Sequence, residues 1–116
     1  MSKQKLTTFG ERIRKLRENL DLPQRKVAAV LDIDTSLLAK YERNERYPSK
    51  ELITKIAQLF KIDTNELVNE VLSDKIAYQI ILEEADTKIL RVAESKVKYL
   101  KNQNKSINFK QPKNTK

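Results

Sequence analysis

The stretch Gln24-Arg25-Lys26-Val27-Ala28-Ala29-Val30-Leu31-Asp32-Ile33-Asp34-Thr35-Ser36-Leu37-Leu38-Ala39-Lys40-Tyr41-Glu42-Arg43-Asn44-Glu45-Arg46 decides the fold. Its first part puts apolar side chains at Val27, Ala28 and Leu31, the i, i+1 and i+4 positions of one helical face. Its second part turns Leu38 and Tyr41 to the same interior and leaves Thr35, Ser36 and Lys40 pointing away. Between the two lies a tight polar turn. Two short helices meeting at such a turn, with a polar face of the second left over, are what this pattern dictates.

Helix starts are clearly marked on either side of that stretch. Thr8 with Glu11, and Asp63 with Glu66, each set a capping oxygen three residues ahead of a glutamate that can reach back. Ser49 after Pro48 marks another start, and Asp34 or Thr35 a fourth. The spacing predicts helices at about 9–20, 24–31, 35–43, 50–60 and 64–72.

Residues 8–67 resemble the XRE/Cro-type helix-turn-helix family, which shares the fold of the lambdoid phage repressors. Phe9-Gly10-Glu11-Arg12-Ile13-Arg14-Lys15-Leu16-Arg17 is similar to the family's first helix, Leu22-Pro23-Gln24 through Leu31 to its second, and Asp34 through Arg43 to its recognition helix. Glu42-Arg43-Asn44-Glu45-Arg46-Tyr47-Pro48-Ser49 matches the family's Glu-Arg-Gly-Lys-Arg-x-Pro-Ser loop, and Leu52, Ile53, Ile56, Ala57 and Phe60 continue into a fourth helix. The fold this implies is all-α: a five-helix lambda-repressor-like helix-turn-helix domain with a C-terminal helical extension. Gly10 is the chain's one glycine, and Asp32 and Asn44 stand where the family commonly has glycine. Both are therefore expected at positive φ, the region that Asp and Asn enter most readily after glycine. Pro23 stands where the family usually has a Thr or Ser cap, which leaves the second helix without a side-chain acceptor at its start.

At 116 residues the chain has room for one small helical core and a modest extension. It contains neither cysteine nor histidine, so disulfides, zinc fingers and imidazole chemistry are excluded and neither a metal site nor a cofactor is expected. The same shortage of reactive groups predicts that the protein is no enzyme and has no catalytic residues. Val27 to Leu31 is its longest apolar run, far below the roughly 20 residues that cross a bilayer. No membrane partner and a cytoplasmic location are the expectation.

The net charge of +8 is unevenly distributed. Residues 1–72 carry 14 basic and 11 acidic side chains, residues 73–103 carry 6 and 5, and residues 104–116 carry 4 basic and no acidic ones. Half of the excess thus sits in the last 13 residues, which read as a disordered basic tail. A polyanionic partner is favoured, although charge alone fits several classes of protein; the motif makes the case for DNA.

The expected division is a DNA-binding domain at 1–72, a helical extension at 73–103 and the tail at 104–116. In the extension, Ser73-Asp74 opens a segment with Ile76, Ala77, Ile80 and Ile81 at helical spacing, and Asp86-Thr87 opens another. There Leu90, Ala93, Val97 and Leu100 recur at intervals of 3, 4 and 3, an a/d stripe of two heptads. That stripe fits dimerisation through Leu90, Val97 and Leu100, packing on the first domain, or binding to another protein.

A helix-turn-helix lays its second helix in the major groove while groups around the first hold phosphates. The resemblance therefore implies base contacts from Thr35, Ser36 and Lys40, of which lysine can donate to guanine O6 and N7. N-capping is the alternative for Thr35 and Ser36, and a phosphate contact for Lys40. Leu37 is an apolar residue where the family has a small polar one, placed either beside a thymine methyl or against Leu38. Gln24 matches the family's phosphate-binding glutamine, and Arg25, Arg43, Asn44 and Arg46 are further phosphate candidates, with solvated surface charge as the alternative. Arg17 and Glu42 correspond to a structural salt bridge between the first and third helices. The reading is a sequence-specific regulator of transcription that binds double-stranded DNA as a homodimer, with a restriction-modification controller as one form of it. Its rivals are an antitoxin that binds a protein partner through 73–103 and autoregulates its operon, and an adaptor making only protein contacts.

Overall fold

The computed structural model describes residues 6–103. Its helices are α1 (Phe9–Asn19), α2 (Gln24–Leu31), α3 (Thr35–Glu42), α4 (Lys50–Phe60), α5 (Thr64–Leu82) and α6 (Ile89–Gln103), with no strand among the described residues. The fold is all-α, a helix-turn-helix followed by a C-terminal helical extension. The basic tail read at 104–116 lies outside the described residues.

The start signals act as the spacing predicts at three of the helices. Thr8 and Glu11 form the reciprocal capping box on α1, Ser49 Oγ accepts the Leu52 N–H at 3.2 Å, and Asp63 Oδ2 accepts the Glu66 N–H at 3.0 Å. By contrast, α2 follows Pro23 and α3 follows Asp34 without a side-chain cap on either. The α1, α2 and α3 helices share a core with α4 and the first half of α5, centred on Phe9, Ile13, Val27, Leu31, Leu38, Ile56 and Leu67.

Five helices end in the same way, and none of them uses glycine. Asp21, Asp32, Asn44, Lys61 and Glu84 adopt φ between 53° and 61°. In each case the next residue's N–H reaches back five positions: Leu22 to Arg17, Ile33 to Ala28, Glu45 to Lys40, Ile62 to Ala57 and Ala85 to Ile80. This is the Schellman closure, which satisfies a carbonyl at the helix end. Asp32 and Asn44 follow the sequence reading; Lys61 and Glu84 accept a left-handed backbone without the short side chain that eases it.

The sequence predicts a new helix at Ser73-Asp74, and the structure corrects this. The α5 helix runs unbroken through both residues to Leu82. Ser73 Oγ donates back to the Glu70 carbonyl at 3.0 Å inside the helix, and Asp74 is turned inward instead of capping. The chain forms two compact units that divide between Tyr78 and Gln79, so Asp74 belongs with the first. In the second unit α6 contains no buried residue.

Candidate nucleic-acid interface

The interface is held up by α1. Gly10 in its first turn sits against the end of α3, where a Cβ would lie 2.5 Å from the Tyr41 carbonyl oxygen and 2.6 Å from that of Glu42. Only glycine lets these two helices approach so closely. The Gly10 N–H donates to Asn44 Oδ1 at 2.9 Å, and Asn44 Nδ2 donates to Thr8 Oγ1 at 2.8 Å. Asn44 thus serves the loop twice, with a left-handed backbone and a side chain that caps α1. Its side chain, expected as a phosphate ligand, is bonded inside the domain through both Oδ1 and Nδ2.

A second tie joins α1, α2 and α3. Arg17 Nε donates to Glu42 Oε2 at 2.7 Å and Nη2 to Glu42 Oε1 at 3.0 Å, a bidentate pair whose side chains are 12% and 4% exposed. Arg17 Nη1 donates to the Leu22 carbonyl, and Gln24 Nε2 donates to Glu42 Oε1 at 2.9 Å. Hydrogen bonding to Glu42 outweighs burial and holds the Arg17 guanidinium above its ordinary pKa. Glu42 is buried, its charge is matched by Arg17, and Gln24 shares one of its oxygens. Gln24 itself is held at the start of α2 by a carboxylate rather than left loose in solvent.

A third tie was not read from the sequence. Asp74 of α5 is 8% exposed, and its Oδ2 accepts the Phe9 N–H at 2.7 Å and the Tyr47 hydroxyl at 3.2 Å. A carboxylate thereby meets a first-turn amide of α1, where the helix dipole favours negative charge. Burial, followed by the charge of Asp74, raises the Tyr47 hydroxyl pKa far above its usual value. The i, i+3, i+4 pattern treats Asp74 as polar surface, so only the fold reveals it. Nearby, Arg12 joins α1 to Glu66 and Glu70 of α5 at 3.1 and 3.0 Å. Burial opposes its charge, but hydrogen bonds to Glu70 and Glu66 prevail and raise its pKa.

On this frame Thr35, Ser36 and Lys40 are all exposed on α3, while Leu38 and Tyr41 face the core. Thr35 and Ser36 lie inside the helix and make no cap bond, which removes the capping alternative for both. Leu37 is half-buried at the edge of the core, a boundary position between Leu38 and the exposed face. Arg25 and Arg46 are exposed. Arg43 is exposed too, but it is paired: its Nε and Nη2 donate to Glu45 at 2.8 and 3.1 Å. The exposed cations therefore flank α3, and α2 and α3 present N-terminal ends without a side-chain cap.

A sequence model of the family described as "Helix-turn-helix domain" matches residues 10–73. The chain belongs to this family. The match covers all but the first two of the residues, 8–67, that carry the XRE/Cro, lambdoid-repressor-type resemblance. Among solved structures, the helix-turn-helix region is similar to the P22 c2 repressor in complex with a synthetic operator, at 22% identity and TM-score 0.51 over 53% of this chain and 94% of that one. A restriction-modification controller protein, C.AhdI from Aeromonas hydrophila, is 36% identical over 51% of this chain and 89% of that one, with TM-score 0.47. The SinR protein/SinI protein complex gives 20% identity and TM-score 0.49 over 82% and 99%. Among curated proteins none matches. No helix among the described residues is long and apolar enough to cross a membrane.

Proposed function

We propose that the chain is a sequence-specific regulator of transcription that occupies operator sites on double-stranded DNA as a homodimer. The observation that carries this reading is the division of α3: Leu38 and Tyr41 anchor it in the core while Thr35, Ser36 and Lys40 form one exposed polar face. A helix anchored on one side with a polar face on the other is what major-groove reading requires. Lys40, Thr35 and Ser36 contact base edges in this reading. Gln24, Arg25, Arg43 and Arg46 contact phosphates and set the register. The repressor found with its operator has the same fold in this region, which is consistent with the assignment.

One such domain reads only a few base pairs, so pairing two of them on a symmetric site is the economical route to specificity. The a/d stripe of α6 supplies the surface in this proposal. Leu90, Val97 and Leu100 are each about half exposed, with no buried residue anywhere on that helix. The test is selection of bound duplexes from a random-sequence pool by the full chain. Recovery of a shared motif, repeated about one helical turn apart with two-fold symmetry, supports the proposal. Recovery of unrelated sequences contradicts operator recognition, and recovery of single half-sites contradicts the dimer.

A further inference from the structure

Arg43 and Glu45 are two residues apart and would diverge on a regular helix. Here Asn44 between them takes φ 61°, and its side chain is fixed on Gly10 and Thr8. This locked turn swings the two side chains alongside each other, and the guanidinium meets the carboxylate through two hydrogen bonds of 2.8 and 3.1 Å. The Glu45 N–H also closes on the Lys40 carbonyl at 2.9 Å, which returns the acid to the end of α3. In the loop pattern that this stretch resembles, a lysine stands at position 45. The chain thus places an acid among its docking cations, in a fork that occupies the Nε and Nη2 donors of Arg43, one of the edges a phosphate would use.

We propose that Glu45 is an intramolecular counter-ion that masks Arg43 and so holds down the sequence-independent part of the chain's affinity for DNA. This rests on the DNA-binding reading above. A phosphate approaching the Nε–Nη2 edge of Arg43 must displace the carboxylate, so part of the attraction available to the guanidinium is already satisfied before DNA arrives. Hydrogen bonding from Arg43, together with the charges of Arg43 and Lys40, keeps the Glu45 carboxyl pKa below its ordinary value, and the mask is ionised throughout the neutral range. The pair is exposed on both sides, so its removal leaves the fold intact.

The test is a double-mutant cycle on the full chain, titrated with a mixed-sequence 20-base-pair duplex across a salt series. Glu45→Gln is expected to bind about threefold more tightly than the parent, with a salt slope steeper by about 0.9, the value of one added phosphate contact. In an Arg43→Ala background the same substitution should gain nothing. A gain of equal size with and without Arg43 would overturn the proposal, because the carboxylate would then act only by repelling DNA at large. An unchanged affinity in Glu45→Gln overturns it as well. A parent chain that binds no duplex, mixed or selected, removes the DNA-binding reading and this inference together, which separates that failure from the other two.

Discussion

Helices α1 and α6 are both amphipathic and similarly basic, yet one is built into a core and the other is not. The α1 helix buries Phe9, Gly10 and Ile13 and is tied by Asn44, Glu42 and Asp74 to three other parts of the first unit. The α6 helix has an apolar stripe of comparable length and buries nothing. Periodicity therefore identifies a helix and its apolar side, but not what covers that side. In α1 the partner is specified by single residues: a glycine that permits contact, and polar groups at fixed points. In α6 Leu90, Val97 and Leu100 stay about half exposed, and the homodimer proposed above would cover them.

Substitutions at those single residues test the contrast most severely. Arg17→Ala leaves the Glu42 carboxylate buried with Gln24 as its remaining side-chain donor, and is expected to cost about 3 kcal/mol, the lower end for breaking a buried pair. For a domain of this size that lowers the melting temperature by roughly 10–20 °C. Unchanged melting would mean that α1 is held by its apolar face alone. Gly10→Ala forces a methyl group onto two backbone oxygens that cannot move independently of α3, for an expected loss of about 2–3 kcal/mol. Because α3 must shift, DNA binding should fall more than stability does.

Next in size is Asp74. Replacing it with Ala strands the Phe9 N–H and the Tyr47 hydroxyl, at about 1–3 kcal/mol. The same reasoning sets where the chain can be cut. A fragment ending at Tyr78 keeps this bond and should melt cooperatively, whereas one ending at Ser73 loses it and should melt lower by a similar amount. Equal melting of the two fragments would show that α5 contributes nothing beyond Leu67 and Val71. The smallest effect on stability belongs to α6. Leu90→Lys should leave the melting of the first unit unchanged and convert a sedimenting dimer to monomer, whereas a variant that remains dimeric would move the interface to another surface.

Much of the first unit was legible in the sequence because its signals are local. Capping boxes, the turn at Asp32 and the face carrying Leu38 and Tyr41 depend on residues three or four positions apart. Asn44 was legible only in part: its left-handed backbone follows from the missing glycine, but the side chain's bonds to Gly10 and Thr8 depend on packing between distant segments. Asp74 was hidden for the same reason, since its two partners are 65 and 27 residues away. The continuity of α5 was missed because Ser73-Asp74 has the composition of a cap. Inside the unbroken helix Asp74 meets the Phe9 N–H, a contact beyond the reach of any local pattern.

The central claim is that α3 reads bases through Lys40 while Arg43 only grips the backbone. Titrating Lys40→Ala and Arg43→Ala against a selected and a scrambled duplex over a salt series tests it directly. Lys40→Ala is expected to lose about 1–3 kcal/mol on the selected duplex and to relax preference at one base pair per half-site, with little change on the scrambled one. Arg43→Ala should weaken both duplexes alike and reduce the salt slope by at most about 0.9, less if Glu45 already holds it. Equal loss on both duplexes for Lys40→Ala would contradict the claim, making lysine a phosphate clamp and leaving specificity to Thr35, Ser36 or the shape of the DNA.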